Sequence, residues 1–276
     1  MTCYTYKELT YSSGIFDSTV DVTYILTMTN SIERHVHIHE QLKYHHPTSK
    51  VIIVFNDGYK NCMKSMKCGE IDLSYKDLTH AVMHIFFHAK KYRRVLILED
   101  DFIFNRNTQK TDVSIINSFL IKHDPNIYSL GSLHTLVNPL TFTNIKLYGK
   151  MGTHAMIYSR KGRDLLFKTY NDCKIIGHDI DLMTMFFDSC YGYKKNIYAQ
   201  VFTETENRNN WGKDMKYYPT FICNIMISVL INTLKLFKLD KPNNIHKKFE
   251  IFNICIYYIH IVVLSICIFN LLKIIM

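Results

Sequence analysis

The segment Val95–Phe102, VLILEDDF, decides the fold, because a short apolar strand runs directly into three consecutive carboxylates. Its first four residues form an unbroken apolar run, which is typical of a strand buried on both faces of a parallel sheet. Glu99, Asp100 and Asp101 then stand at the carboxyl end of that strand. Ligand sites of open α/β sheets lie at this edge. The segment therefore predicts both a sheet and a site.

Upstream of this segment, strand and helix patterns alternate twice. Val22–Thr27 and Lys50–Phe55 are predicted strands, and a helix is predicted after each, the second over Tyr75–Lys91. Such alternation indicates parallel βαβ units. Thr27 ends the first strand and Asp57 follows the second, so both are expected at the same edge of the sheet as the acidic turn.

Downstream elements are predicted to continue a mixed sheet to about residue 201: a helix near Asp112–Lys122, strands at Ile127–Leu130 and His154–Tyr158, and a helix from Arg160. The segment Gly131–Lys150 is predicted to be a long connection whose shape helps to select substrates. The chain is long enough for one catalytic domain and an appendage.

The charge and the cysteines limit the partners and the compartment. The formal charge of +9 is spread thinly, without a basic helix face or an RNA-binding motif, so no nucleic-acid partner is expected. An anionic membrane surface or a nucleotide phosphate explains the charge equally well. The 8 cysteines show neither C-x-x-C nor zinc spacing, which favours free thiols. Without an Asn-x-Ser/Thr acceptor or a signal-peptide pattern, cytosolic catalysis is expected.

The C-terminal part of the chain changes character. Phe249–Met276 is apolar over a length that can cross a bilayer, although a buried core helix is the alternative. Phe221–Leu239 carries a polar stripe and is predicted to be an interfacial helix. Five lysines precede the apolar segment and only Lys273 follows, which places the catalytic domain in the cytosol. The predicted division is residues 1–217 for catalysis, 218–248 for the interfacial helix and basic linker, and 249–276 for the transmembrane anchor.

The three carboxylates at one strand end would repel each other unless a cation draws them together. Mg²⁺ and Mn²⁺ take oxygen ligands and keep open positions for substrate phosphates. A solvated turn after a core strand is the alternative. The sequence therefore predicts a divalent metal at this acidic cluster.

Four segments resemble glycosyltransferase family 25, the lipooligosaccharide and collagen galactosyltransferase group. Glu99 and Asp101 match the outer acids of its Glu/Asp-x-Asp turn. The other segments are Thr153–Gly162, similar to a strand entering a Ser-Arg-x-Gly helix start, Gly177–Leu182, similar to Pro-Val-Asp-x-x-Leu, and Tyr24–Thr27 followed by Arg34, similar to the first strand. The resemblance covers about residues 22–211. Thr27 departs from the family by standing where asparagine is usual.

The resemblance implies a GT-A type nucleotide-diphospho-sugar transferase fold and a hexosyltransferase that uses a UDP-linked sugar. The acceptor would be a hydroxyl of a glycan or a protein, and we expect an inverting transfer, which needs a base. Asp179 matches the family acid and Asp181 is the close alternative, while N-capping of a helix is the structural alternative for both. His154 is a further candidate metal ligand. The residues expected to bind the nucleotide-sugar are Thr27, Arg34, Asp57, Glu99 and Asp100.

Two other functions remain open at the level of sequence. The same fold without catalysis would make a membrane-tethered binding or scaffold module. An acidic strand end with a divalent metal also suits a nucleotidyltransferase. Release of UDP as opposed to pyrophosphate separates the two enzymatic hypotheses.

Overall fold

The computed structural model describes residues 3–67, 69–172, 179–185, 187–202 and 220–275. In these ranges the strands are β1 (Tyr4–Thr10), β2 (Val22–Met28), β3 (Lys50–Asn56), β4 (Ser65–Met66), β5 (Gly69–Glu70), β6 (Arg94–Glu99), β7 (Ile103–Phe104), β8 (Ile127–Ser129), β9 (Leu133–Val137), β10 (Asn144–Met151), β11 (Ala155–Ser159), β12 (Cys190–Tyr193) and β13 (Tyr198–Ala199). The helices are α1 (Ile32–Tyr44), α2 (Ser74–His88), α3 (Lys110–His123), α4 (Arg160–Asn171), α5 (Ile180–Met185), α6 (Thr220–Leu236) and α7 (Ile245–Ile275).

The central sheet has nine strands in the order β1-β3-β2-β6-β11-β8-β12-β10-β9. Six of them (β2, β3, β6, β8, β9 and β12) run in one direction, and β1, β10 and β11 run in the other. The predicted fold class, an α/β fold with a mixed, mostly parallel sheet flanked by helices and followed by C-terminal hydrophobic helices, is confirmed. Strands β2, β3 and β6 form its parallel centre, with β2 between the other two.

Both faces of the central strands are buried, as the continuous apolar runs predict. Along β6, Val95 and Ile97 face the helices α2, α4 and α5, whereas Leu96 and Leu98 face α1 and α3. Successive side chains of a strand point to opposite faces, so an apolar run without alternation needs a helical layer on each side. The three layers hold the carboxyl ends of β2, β3 and β6 in fixed register, and the site is built there.

The prediction of a long connection over Gly131–Lys150 is wrong, because the segment contains β9 and most of β10. These strands pair antiparallel at the edge of the sheet, with Leu133 opposite Met151 and Val137 opposite Leu147. Strand β1 was also not predicted. It lies at the opposite edge, antiparallel to β3. Tyr4 is buried and Tyr6 and Leu9 are half-buried, whereas the other residues of β1 are exposed, as suits an edge strand.

The prediction that all cysteines are free thiols is also wrong. Cys3, just before β1, and Cys62, after β3, form a disulfide across 59 residues of sequence. The pairing of β1 with β3 brings their surroundings together, and spacing along the chain gives no sign of this. Among the described cysteines, Cys190, Cys255 and Cys267 are free.

Parts of the two C-terminal helices, α6 and α7, pack against the domain. Leu234 of α6 and Phe249 and Phe252 of α7 form a third apolar cluster with Leu133 of β9 and Ala199 of β13. Within the described residues, one helix is long and apolar enough to cross a membrane, at Ile245–Leu271, with a mean hydropathy of 2.3. The predicted domain boundary at residues 217 and 218 lies outside the described residues.

Candidate functional site

The acidic turn lies at the carboxyl end of β6 and is held on both sides. The backbone N–H of Glu99 donates to the carbonyl oxygen of His154 at 3.0 Å, and that of Phe102 donates to the carbonyl of Glu99 at 3.1 Å. The Phe102 side chain is fully buried next to Leu98 in the core. The apolar residues on either side therefore fix a turn whose carboxylates cannot move apart.

Three of the residues predicted to bind the nucleotide-sugar meet on one side of this turn. Thr27 Oγ1 donates to Asp100 Oδ2 at 2.7 Å, and Arg34 Nε of α1 lies 3.9 Å from Asp100 Oδ1. Burial raises the pKa of Asp100, whereas the Thr27 hydrogen bond and Arg34 act against this shift. Asp57, at the end of β3, instead accepts a hydrogen bond from Thr29 Oγ1 at 2.8 Å and is exposed to solvent there.

On the other side, Glu99 and Asp181 face each other across Thr153. Thr153 Oγ1 donates its proton to Glu99 Oε1 at 3.0 Å. Burial raises the pKa of Asp181, while Lys150 and the nearby Thr153 hydroxyl act against this shift. Burial raises the pKa of Glu99 well above its ordinary value, and the charges of Asp101 and Asp181 add to the effect. Burial and Asp100 raise the pKa of Asp101 to about 6. Residues about 80 positions apart thus form one cluster of repelling carboxylates.

Asp179 adds a fifth acid and also caps helix α5. Its Oδ1 accepts hydrogen bonds from the backbone N–H of Asp181 at 2.8 Å and of Leu182 at 3.3 Å. The N-capping that the sequence left as an alternative is therefore present at Asp179. Burial and the neighbouring Asp181 nonetheless raise the pKa of Asp179 to about 7. Thr79 of α2 accepts a hydrogen bond from the N–H of Ile180 at 2.8 Å, which fixes the start of α5.

Lys150 is a charged residue of the site that sequence reasoning did not identify. Its side chain is 1% exposed, and its Nζ donates to Thr184 Oγ1 of α5 at 2.9 Å. Burial lowers the pKa of Lys150, while Asp181 and Glu99 are close enough to raise it. Nothing in the local sequence indicated this role, because Lys150 was assigned to the predicted connection Gly131–Lys150. In the structure the end of β10 carries it beneath the acidic cluster.

His154 is placed at the start of β11 with its ring fully buried. A Cβ on Gly131 would come within 2.7 Å of His154 Nε2, and the ring lies edge-on to Phe249 of α7 at 6.0 Å. Neither ring nitrogen has a hydrogen-bond partner within the described part of the chain, and burial lowers the pKa of His154 to about 3. The ring is therefore neutral and tightly packed between the sheet and the C-terminal helix.

The carboxylates suit a hard divalent cation, but they do not supply a complete set of protein ligands. In the described part of the chain, no three His, Cys, Asp or Glu side chains converge closely enough to hold a metal by themselves, so Glu99, Asp101 and His154 do not form such a triad. Asp101 Oδ1 and Asp181 Oδ1 are buried without a hydrogen-bond partner. Unpaired oxygens among like charges suit a cation that takes its remaining ligands from water and substrate phosphates.

We expect Asp179→Asn to raise the thermal stability of the metal-free protein at pH 8. The asparagine Oδ1 can still cap α5, while the buried charge next to Asp181 is removed. Because the folded pKa of about 7 exceeds the unfolded value of 3.8, the wild type loses stability as pH rises from about 4 to about 7, and the full loss is present at pH 8. The gain should be on the order of 2 kcal/mol.

The gain from Asp179→Asn should also depend on pH, and scanning calorimetry in EDTA from pH 8 to pH 4 tests this. As pH falls, the wild-type carboxyl becomes protonated and the difference between the two proteins should close. The control is Asp164→Asn. Asp164 is an exposed acid on α4 beside Arg93, at the amino end of β6, and its substitution should change the thermal stability little at any pH. A loss of stability at pH 8 would show that the charge of Asp179 is satisfied in the fold.

Comparison with protein-family models and with characterised proteins gives no match. Three solved structures resemble part of the chain. A glycosyltransferase involved in the glycosylation of the major capsid of PBCV-1 has a TM-score of 0.38 at 9% identity, covering 66% of this chain and 94% of its own. A197 from STIV has a TM-score of 0.35 at 9% identity, covering 64% of this chain and 82% of its own. The third is a putative glucose-1-phosphate thymidylyltransferase from Bacillus anthracis in complex with a sucrose. It has a TM-score of 0.34 at 12% identity, covering 72% of this chain and 78% of its own. Resemblance at these TM-scores does not assign a function to the chain.

Proposed function

We propose that the protein is a metal-dependent glycosyltransferase of family 25 type, an inverting hexosyltransferase that moves a sugar from a UDP-linked donor to a hydroxyl of a glycan or protein. One observation carries the proposal: the acidic turn after β6 and the acids at the start of α5, about 80 residues apart in sequence, meet around Thr153 in one partly buried cluster. A carboxylate cluster that destabilises the fold needs a compensating function.

The roles of the residues follow from their positions. Asp101 and Glu99 would hold Mn²⁺ or Mg²⁺, which when bound neutralises the charge that develops on the departing diphosphate. Asp100, oriented by Thr27 and Arg34, lies where the nucleotide would bind at the carboxyl ends of β2 and β6. Arg34 adds a partly exposed guanidinium that suits a phosphate.

The base for the acceptor hydroxyl comes from the start of α5. A general base acts best when its pKa lies near the working pH, and burial next to Asp181 raises the pKa of Asp179 to about 7. Asp179 Oδ1 is occupied by two backbone N–H groups, so its other oxygen would accept the proton. Asp181 is the alternative base, and its Oδ1 has no hydrogen-bond partner.

The test is product analysis with the full chain in detergent, because α6 and α7 pack on the domain and truncation would expose their apolar contacts. The protein is incubated with a panel of UDP-sugars and Mn²⁺, with a parallel reaction in EDTA. Mn²⁺-dependent release of UDP supports the proposal. Release of pyrophosphate from a nucleoside triphosphate and a sugar phosphate would instead identify a nucleotidyltransferase. Binding of UDP without any turnover across sugar acceptors would favour the binding module.

The association with a membrane is part of the same proposal. Helix α7 is long and apolar enough to act as the anchor, with the catalytic domain on its N-terminal side. The placement in the cytosol now rests on the lysines that precede the anchor, because the Cys3–Cys62 disulfide removes the argument from free thiols. Protease accessibility of the domain in sealed vesicles tests that placement.

A further inference from the structure

The turn between β9 and β10 carries large apolar side chains that are exposed to solvent among the described residues. Leu140 is 81% exposed and Phe142 is 62% exposed, and Leu136 and Tyr148 on the adjoining strands are each 44% exposed. We call the segment 136–148 the hairpin tip. Isolated exposed apolar residues are common, but a concentration of large ones at one turn marks an interaction surface.

The hairpin tip is joined to the candidate anchor. Tyr257 of α7 donates from its hydroxyl to the carbonyl oxygen of Pro139 at 2.7 Å, and its ring meets that of Phe142 edge-on at 5.8 Å. One turn earlier, Asn253 Oδ1 accepts from the backbone N–H of His134 at 2.8 Å. Asn253 Nδ2 also donates to the carbonyl of Ser132 at 3.3 Å. The helix and the hairpin therefore form one rigid unit.

The exposed apolar surface of α7 lies directly beyond its contact with the hairpin tip. After Tyr257 the apolar side chains of α7 are more than 45% exposed at Tyr258, Ile259, Val262, Val263, Ile266, Ile268, Phe269 and Leu271. A helical stretch with large exposed apolar side chains suits the hydrocarbon core of a bilayer. With this stretch in the core, Tyr257 and the hairpin tip lie together at the membrane surface.

The charges around the hairpin tip also fit a membrane surface. Lys194 Nζ lies 5.0 Å from the ring centre of Phe142, and Lys146 Nζ lies 5.3 Å from that of Tyr148. Aromatic rings with their polar ends toward water and lysines with their charges at headgroup level are the arrangement found at bilayer interfaces. Anionic headgroups attract such lysines electrostatically.

We propose that the hairpin tip inserts Leu140 and Phe142 into the headgroup region of the bilayer that α7 crosses, with Lys146 and Lys194 on anionic lipid. This inference rests on the proposed anchoring by α7 and is independent of the transferase chemistry. It adds a second point of contact beside the helix. With two contacts the domain cannot swing about the anchor, so the β9 edge of the sheet is held against the membrane.

Tryptophan reporters in the full chain test this proposal in vesicles of phosphatidylcholine and phosphatidylglycerol. The chain has one tryptophan, which Trp211→Phe removes. Single reporters are then introduced by Leu140→Trp or Phe142→Trp in the hairpin tip, Val262→Trp in the anchor, and Ile121→Trp on the exposed face of α3 as control. Brominated acyl chains quench tryptophans that lie in the membrane.

The expected result is blue-shifted emission and quenching for the hairpin-tip and anchor reporters, with the α3 reporter unaffected. Quenching of the anchor reporter alone would overturn the proposal while leaving the anchor intact. A hairpin-tip reporter that is blue-shifted in detergent but not quenched by brominated lipid would indicate a protein partner or a second copy, and would also overturn it. If no reporter is quenched, α7 does not lie in the bilayer and the proposed anchoring is contradicted. The UDP assay tests the transferase activity separately.

Discussion

Asp101→Asn is expected to lower Mn²⁺-dependent release of UDP by at least about 100-fold, the scale seen when a group that stabilises developing charge is removed. Asp101 Oδ1 is buried and has no hydrogen-bond partner among the described residues, which suits a cation ligand. The substitution keeps the volume of the side chain and removes one negative charge. Stability should not fall, because the pKa of about 6 shows that the charge is unfavourable in the fold.

The matched control is Asp164→Asn, which removes an exposed acid at the amino end of β6 and should leave turnover unchanged. Initial rates at saturating donor over a range of Mn²⁺ concentrations separate a weaker metal site from a general loss of activity. If Asp101→Asn retains wild-type turnover at the same Mn²⁺ concentration, the acidic turn does not hold the metal.

Lys150→Met is expected to give the largest loss of stability, about 2 kcal/mol at neutral pH, within the range for removing one partner of a buried polar interaction. Lys150 is fully buried and donates to Thr184, and the charges of Asp181 and Glu99 raise its pKa against the effect of burial. Its removal therefore takes away a positive charge that offsets theirs. Methionine fills a similar volume, so the loss should be electrostatic. Urea unfolding in EDTA measures it.

A double substitution separates charge from packing. Lys150→Met with Asp181→Asn should recover much of the stability, because the unpaired carboxylate is then neutral. Lys122→Met, an exposed lysine at the end of α3, serves as the control and should be nearly neutral. If the double variant is as unstable as Lys150→Met alone, the lysine contributes through its packing and its hydrogen bond to Thr184.

The parallel centre of the fold and the acidic turn could be predicted from the sequence because their signals are local. Strand β6 is an unbroken apolar run that ends in three acids, and the structure extends the predicted strand by one residue at each end. The run needs a layer on both faces, which excludes an edge position. The parallel βαβ pattern places the carboxyl ends of β2, β3 and β6 at the same edge of the sheet. Thr27, Asp100 and the turn were therefore expected near one another.

The rest depends on partners that are distant along the chain. Strand β10 alternates in burial only because β9 and β12 lie beside it, so Lys150 at its end gave no local sign of being buried. The Cys3–Cys62 disulfide likewise follows from the pairing of β1 with β3. His154 was predicted from its position before a strand, but its surroundings are set by Gly131 and by Phe249 of α7.

Mn²⁺ binding to the full chain in the presence of UDP, followed by electron paramagnetic resonance, tests the central claim most directly. Free Mn²⁺ is compared for protein with UDP, protein alone and UDP alone, for the wild type and for Asp101→Asn. The account predicts that wild type and UDP together bind Mn²⁺ more tightly than either does alone, and that Asp101→Asn abolishes this cooperation. Mn²⁺ binding that is unchanged by adding protein to UDP, or that survives Asp101→Asn, would contradict it.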